Sequence, residues 1–144
     1  MAITDMDELR KIYEDTKTIA VVGASEDPRK PGHSIPRYLQ HEGFRIIPVN
    51  PKGGEILGEK VFASLQEIEE PIDVVDVFRP SEETPDIARS AARAGAKVLW
   101  LQTGIESEEA ERIASQAGLK VVMNRCMGET HHYLNLGPGP HSMQ

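Results

Sequence analysis

Two cations, Arg29 and Lys30, stand in a short loop that opens where the apolar run Ile19 to Val22 stops at Gly23. Ala24, Ser25 and Pro28 fill the loop between them, and Ser34 and Pro36 stand at the start of the segment that follows. Small residues, a hydroxyl and two positive charges ahead of a helix suit the holding of a phosphate. The unpaired N–H groups of a helix N-terminus and its macrodipole favour an anion there, and Gly23 lets the backbone turn with no Cβ in the way. A second candidate is the turn Asn50-Pro51-Lys52 after the apolar run Phe44 to Val49. A third is Cys126, the one cysteine, beside Arg125. A thiol next to a cation can have a lowered pKa and exchange with another thiol, whereas a buried one packs as a small hydrophobe, and both readings stay open. Glu129, His131 and His132 follow it, but adjacent histidines on regular structure point apart and are poorly spaced for one ion. No metal site is expected.

These residues need elements to position them, and the chain supplies a regular alternation. Met6, Leu9, Ile12 and Tyr13 recur at helical spacing, which predicts a helix over 4 to 16 capped by Thr4 or Asp5. Residues 18 to 22 form the first strand, and Ser34 caps a helix over 35 to 42 with Pro36 in its first turn and Gly43 at its end. Phe44 to Val49 is the second strand, with Pro48 arguing against a central place in the sheet. Ser64 to Glu67 reads as a capping box that starts a brief helix. Ile72 to Phe78 is the third strand, Lys97 to Leu101 the fourth and Leu119 to Met123 the fifth. Helices from Thr84 to Ala94 and from Ser107 to Ala117 lie between them. Asp73 and Asp76 interrupt the third strand three residues apart, so they face opposite sides and cannot act as paired carboxylates.

The fold class is therefore α/β: a single Rossmann-like domain over 1–144, with a five-stranded parallel sheet and helices on both faces. Right-handed crossovers bring the strand tips to one edge, where ligands of such folds sit at the reversal of strand order. Residues 23–34, 50–54, 78–80, 102–104 and 124–128 converge there, and 129–144, with Gly-Pro-Gly-Pro, is expected to be weakly ordered. The net charge of −7 excludes a general binder of nucleic acid or anionic membrane, so any affinity for phosphate must be local. One cysteine forms no internal disulfide, no run reaches membrane-spanning length, and the N-terminus lacks signal-peptide character. A cytoplasmic location is expected.

A nicotinamide dinucleotide fits poorly. Gly23-Ala24-Ser25 lacks the second and third glycines of the G-x-G-x-x-G fingerprint. At the tip of the second strand, where the ribose 2′-hydroxyl wants an acid, stands Asn50-Pro51-Lys52. A cation there suits an additional ribose phosphate, which both a phosphorylated nicotinamide cofactor and coenzyme A carry.

At these positions the chain resembles the small CoA-binding protein family, whose domain is similar to the N-terminal domain of the succinyl-CoA synthetase alpha subunit. The resemblance covers roughly residues 5 to 130. It rests on Val22-Gly23-Ala24-Ser25 with Pro28 and Lys30, on Pro48-Val49-Asn50-Pro51-Lys52, and on the stretches VVDVFRP (74–80), AKVLWLQTG (96–104) and GLKVVMNRC (118–126). It implies a cofactor, coenzyme A or a short acyl-CoA. Gly23, Ala24 and Ser25 would lie against its phosphates with Arg29 and Lys30 nearby, and Lys52 would meet the nucleotide's phosphate groups. Phe78, Arg79 and Pro80 would wall the adenine or pantetheine side, Gln102, Thr103 and Gly104 the pantetheine arm, and Asn124, Arg125 and Cys126 the thiol end. The synthetase's phosphorylated histidine belongs to a second domain, so the resemblance implies binding without ligase activity. His33, His41, His131, His132 and His141 do not repeat that role. Two other readings stay open: a small oxidoreductase using a phosphorylated nicotinamide cofactor, and a module that reports bound CoA to a protein partner.

Overall fold

The computed structural model describes residues 2–139. Strands β1 (Thr18–Val22), β2 (Arg45–Val49), β5 (Val74–Val77), β6 (Val98–Leu101) and β7 (Lys120–Val122) form one parallel sheet in the order β2-β1-β5-β6-β7. The strands are mainly apolar on both faces, because both are covered, with Asp76 the one charged residue in their buried interior. Ile19, Val21, Val74, Trp100 and Val122 pack under α1 (Met6–Asp15), α2 (Pro31–His41) and α5 (Met127–Tyr133). Ala20, Val75, Val77, Leu99 and Val121 pack under α3 (Thr84–Arg93) and α4 (Glu108–Gln116), where Ala88, Ala91, Ala110 and Ala114 let two helices lie close to the sheet. The expected α/β class and five-stranded parallel sheet are what is found.

Several local expectations hold for the stated reason. Asp5 accepts from Glu8 N at 3.0 Å and Ser107 from Ala110 N at 3.1 Å, so both cap as read. Pro48 sits in β2, an edge strand, where a missing donor is tolerated. Asp73 and Asp76 do face apart: Asp73 accepts from Lys17 N and Thr18 N and pairs with Lys97 Nζ at 3.3 Å, while Asp76 is fully buried.

Others need correction. α2 begins at Pro31 and not after Ser34, because Pro31 already holds a helical φ at the first turn. Pro36 then lies inside the helix, where it has no N–H to give the carbonyl of Gly32. That carbonyl accepts instead from Ser25 N at 3.1 Å, tying the loop to the helix. The capping box is half formed: Ser64 makes no side-chain bond, Glu67 accepts from Ala63 N, and a single 3-10 turn, Leu65–Glu67, results. After the 50–54 turn the chain also pairs β3 (Glu55–Ile56) with β4 (Glu59–Lys60), a hairpin the sequence reading did not include. The segment expected to be weakly ordered from Glu129 runs on as α5 to Tyr133, anchored by buried Met127, Thr130, His131 and Leu134. Gly128 lets it approach α2, where an added Cβ would lie 3.2 Å from Ile35 Cγ2. The Pro140 and His141 of that tail lie outside the described residues.

Candidate functional site

The strand order reverses between β1 and β5, and a cleft of about 1330 Å³ opens above their carboxyl ends. Twelve of the residues singled out from the sequence line it: Gly23, Ala24, Ser25, Lys30, Asn50, Pro51, Lys52, Phe78, Arg79, Gln102, Thr103 and Cys126. Pro28, Arg29, Pro80, Gly104, Asn124 and Arg125 do not line it.

The β1 end of the cleft is shaped by backbone. Gly23 has φ +89° and donates to Val49 O at 3.1 Å; a Cβ there would meet Arg79 Cδ at 2.9 Å and Phe78 O at 3.0 Å. Gly32, on the facing turn of α2, comes closer still, for its Cβ would lie 2.7 Å from Gly23 O. It supplies the close helix approach that the fingerprint assigns to a later glycine, at a spacing the fingerprint does not contain. Asn50 joins the two neighbouring loops: its Nδ2 donates to Ala24 O at 2.9 Å, and its Oδ1 accepts from Lys52 N at 2.8 Å.

The cations differ in how they are engaged. Lys30 and Lys52 are exposed, line the cleft and form no ion pair among the described residues. Arg79 also lines it but makes two bonds to Glu83, Nε at 3.0 Å and a terminal nitrogen at 2.7 Å. Each charge favours the other's ionised form, so Arg79 is held up and Glu83 down. Arg29 is bound to Asp27 by Nε and by a terminal nitrogen, both at 3.0 Å, and does not itself line the cleft. Asp27, which does line the cleft, is thereby held below its usual range.

The β6 and β7 end is braced by side-chain bonds, from exposed Asn124 as well as from buried Trp100 and Cys126. Asn124, at φ +53°, accepts from Gly104 N at 2.7 Å, and Arg125 O accepts from Trp100 Nε1 at 2.7 Å. These two residues brace the loops of the cleft. Cys126 caps α5, its Sγ accepting from Glu129 N at 3.4 Å, and lines the cleft with Glu129. Its thiol is pushed up by burial, in line with the packed reading and against a lowered pKa, because desolvation outweighs the N–H groups around it. His131 is buried against the rings of Tyr13, Tyr38 and Phe44, with Tyr38 Oη 2.8 Å from its Nδ1, whereas His132 is exposed. The described residues contain no cluster of three His, Cys, Asp or Glu able to hold a metal.

Two residues carry more than the sequence reading assigned to them. Gly32 was given no role, though a second glycine nine positions after the first was visible. Asp76 received no partner, though an acid inside an apolar parallel strand needs one. It lies under the cleft, bonded to Gln102.

Comparison with known proteins bears on what such a cleft holds. The uncharacterized protein YneT of Bacillus subtilis is 41% identical over 124 residues, which is 86% of this chain and 92% of its own. A Thermus thermophilus protein of solved structure is 41% identical and superposes with a TM-score of 0.87, covering 91% of this chain and 99% of that one. The ADP-forming acetate–CoA ligase of Methanocaldococcus jannaschii is 27% identical over 128 residues, and the match takes in 83% of this chain but only 18% of the ligase. No helix among the described residues is long and apolar enough to cross a membrane. Residues 17–132 match the CoA binding domain, and the chain belongs to that family.

Proposed function

We propose that the chain binds coenzyme A, or a short acyl-CoA, non-covalently in this cleft and has no ligase activity of its own. The observation that carries the reading is the meeting of Gly23, the start of α2, Lys30 and Lys52 on one wall of a cleft at the strand-order reversal. In this reading the Gly23–Ser25 loop and Lys30 take the diphosphate, helped by the α2 N-terminus. Lys52 takes the ribose 3′-phosphate, and the pantetheine arm runs past Phe78 and Gln102 towards Cys126. Among the described residues no histidine lines the cleft, which supports binding without phosphoryl transfer. The buried Cys126 thiol favours non-covalent binding over exchange with the CoA thiol.

A ligand in hundredfold excess over its Kd stabilises the native state by about 2.7 kcal/mol, roughly 5–10 °C in Tm at this chain length. CoA is expected to give a shift of that order, dephospho-CoA a smaller one, and NAD and NADP none. Lys52→Ala should remove most of the difference between CoA and dephospho-CoA. A shift with NADP larger than that with CoA would favour the oxidoreductase reading, and no shift with either would end both.

A further inference from the structure

Strand β5 is apolar at every position but one, and that exception lies beneath the cleft. Asp76 is fully buried and stands in register between Val21 of β1 and Trp100 of β6. Gln102 is two residues beyond Trp100, so it rises from the same face of the sheet, one pleat nearer the strand tips. There Gln102 Nε2 donates to Asp76 Oδ1, while Asp76 Oδ2 has no partner among the described residues. Gln102 is 5% exposed and lines the cleft. Its Oε1 bonds no protein group among the described residues, and it is not sealed from solvent, since Asp76 Oδ2 alone is both buried and unpartnered.

A carboxylate only accepts hydrogen bonds, whereas a carboxamide can be turned either way round. We propose that Asp76 is a positioning residue: its carboxylate holds Gln102 by the amino half, so that Gln102 Oε1 faces the cleft as an acceptor for an N–H on the amide-bearing arm of the ligand. This deepens the coenzyme A reading and rests on it, since the pantetheine arm carries secondary amides. The unpartnered Oδ2 then has a meaning. A second donor would stabilise the ion, and without one the hold on Gln102 depends on pH.

Burial raises Asp76 to about 7. Once protonated it both donates and accepts, and the amide is no longer held one way round. The titratable groups that face it are Tyr13 of α1 and Cys126 at the head of α5, both pushed up by burial and both neutral around pH 7. Arg125 and Glu129 act on those two groups in turn, and the flanking strands present Val21 and Trp100.

The test compares two probes, CoA and the β-methyl ester of adenosine 3′-phosphate 5′-diphosphate, which is the same nucleotide without the arm and, like CoA, has no free terminal phosphate that titrates in this range. Their ratio of Kd values cancels the titration of the shared phosphates. In the wild type the preference for CoA should fall about three- to tenfold between about pH 8.5 and about pH 6, the worth of one hydrogen bond. Asp76→Asn, which like the neutral acid both donates and accepts, should show the low preference at both pH values, and Gln102→Ala should match it. In the unliganded protein the Gln102 side-chain amide NMR signals should move with pH near 7, and should be still in Asp76→Asn. A preference independent of pH in the wild type, or one kept in full by Asp76→Asn, overturns the proposal and leaves CoA binding intact. Binding of neither probe overturns the coenzyme A reading itself.

Discussion

The two ends of the cleft are made of different materials. At the β1–β2 end, position is set by backbone: Gly23 and Gly32 in contact, the Gly32 carbonyl released by Pro36 to take Ser25 N, and Asn50 bridging two loops. At the β5–β7 end, position is set by buried polar side chains: Asp76 on Gln102, Trp100 on the Arg125 carbonyl, Tyr13 on the Met127 carbonyl at 2.6 Å. A surface made of backbone holds its shape at any pH and tolerates no added atom. One made of buried polar groups tolerates isosteric changes and responds to protons.

The largest effect should come from the second kind. Asp76 has a folded pKa of about 7, well above its value in the unfolded chain. Between those values the native state holds the proton that the unfolded state has released, so stability falls as pH rises through this window. The loss, complete above the folded pKa, amounts to roughly 4 kcal/mol for a shift of about three units. Asp76→Asn removes it. Urea denaturation at pH 4 and at pH 8 should show the variant gaining on the wild type by roughly that amount at the higher pH. Parallel pH profiles for the two proteins would mean that the carboxyl ionises without penalty, and the contrast between the two ends would lose its basis.

The next effect belongs to the backbone end. Gly23→Ala places a Cβ at 2.9 Å from Arg79 Cδ and 3.0 Å from Phe78 O, on a backbone with φ +89°. It should destabilise by about 2–4 kcal/mol, from the left-handed conformation and overpacking together. Gly104 is the control: its φ is +83° but nothing lies within 4 Å of an added Cβ, so Gly104→Ala should lose only about 1 kcal/mol. Equal losses in the two variants would show that conformation alone matters and that the close approach of β1 to β5 does not.

The same contrast explains what could be read from the sequence. The parallel sheet was legible because each apolar run is buried on both sides, and Gly43, Gly95 and Gly118 after the three crossover helices mark the return of the chain. The Gly23 loop and the Lys52 turn were legible because positive φ and turn chemistry select a few residue types. Gly32 escaped because its contact is with a carbonyl nine residues away, which no local pattern records. The start of α2 escaped because two prolines competed for its first turn, and only the fold shows that Pro36 frees a carbonyl the loop uses. The Asp76–Gln102 bond escaped because register between β5 and β6 had to be known first. The choice between the two readings of Cys126 was hidden for a related reason: the neighbouring charge of Arg125 is visible in a sequence, and the burial that raises the thiol is not.

The smallest effect concerns the neighbouring cations Arg29 and Lys30, which a sequence presents as equivalent. Lys30 lines the cleft, so Lys30→Ala should weaken the binding of CoA directly. Arg29 has its side chain 88% exposed and both of its bonding nitrogens on Asp27. Its removal takes no contact from a phosphate in the cleft, but it leaves the Asp27 carboxylate uncompensated on the cleft wall. Arg29→Ala should therefore weaken CoA binding only about twofold at low ionic strength, an effect that fades as salt screens the exposed charge. The double variant Asp27→Asn with Arg29→Ala separates the two causes, because it removes the uncovered charge along with its cover. Recovery of wild-type affinity in the double variant makes Arg29 a counter-charge for Asp27. Affinity as weak as that of Arg29→Ala would place the guanidinium on the phosphate, and the backbone end of the cleft would then depend on a mobile side chain after all.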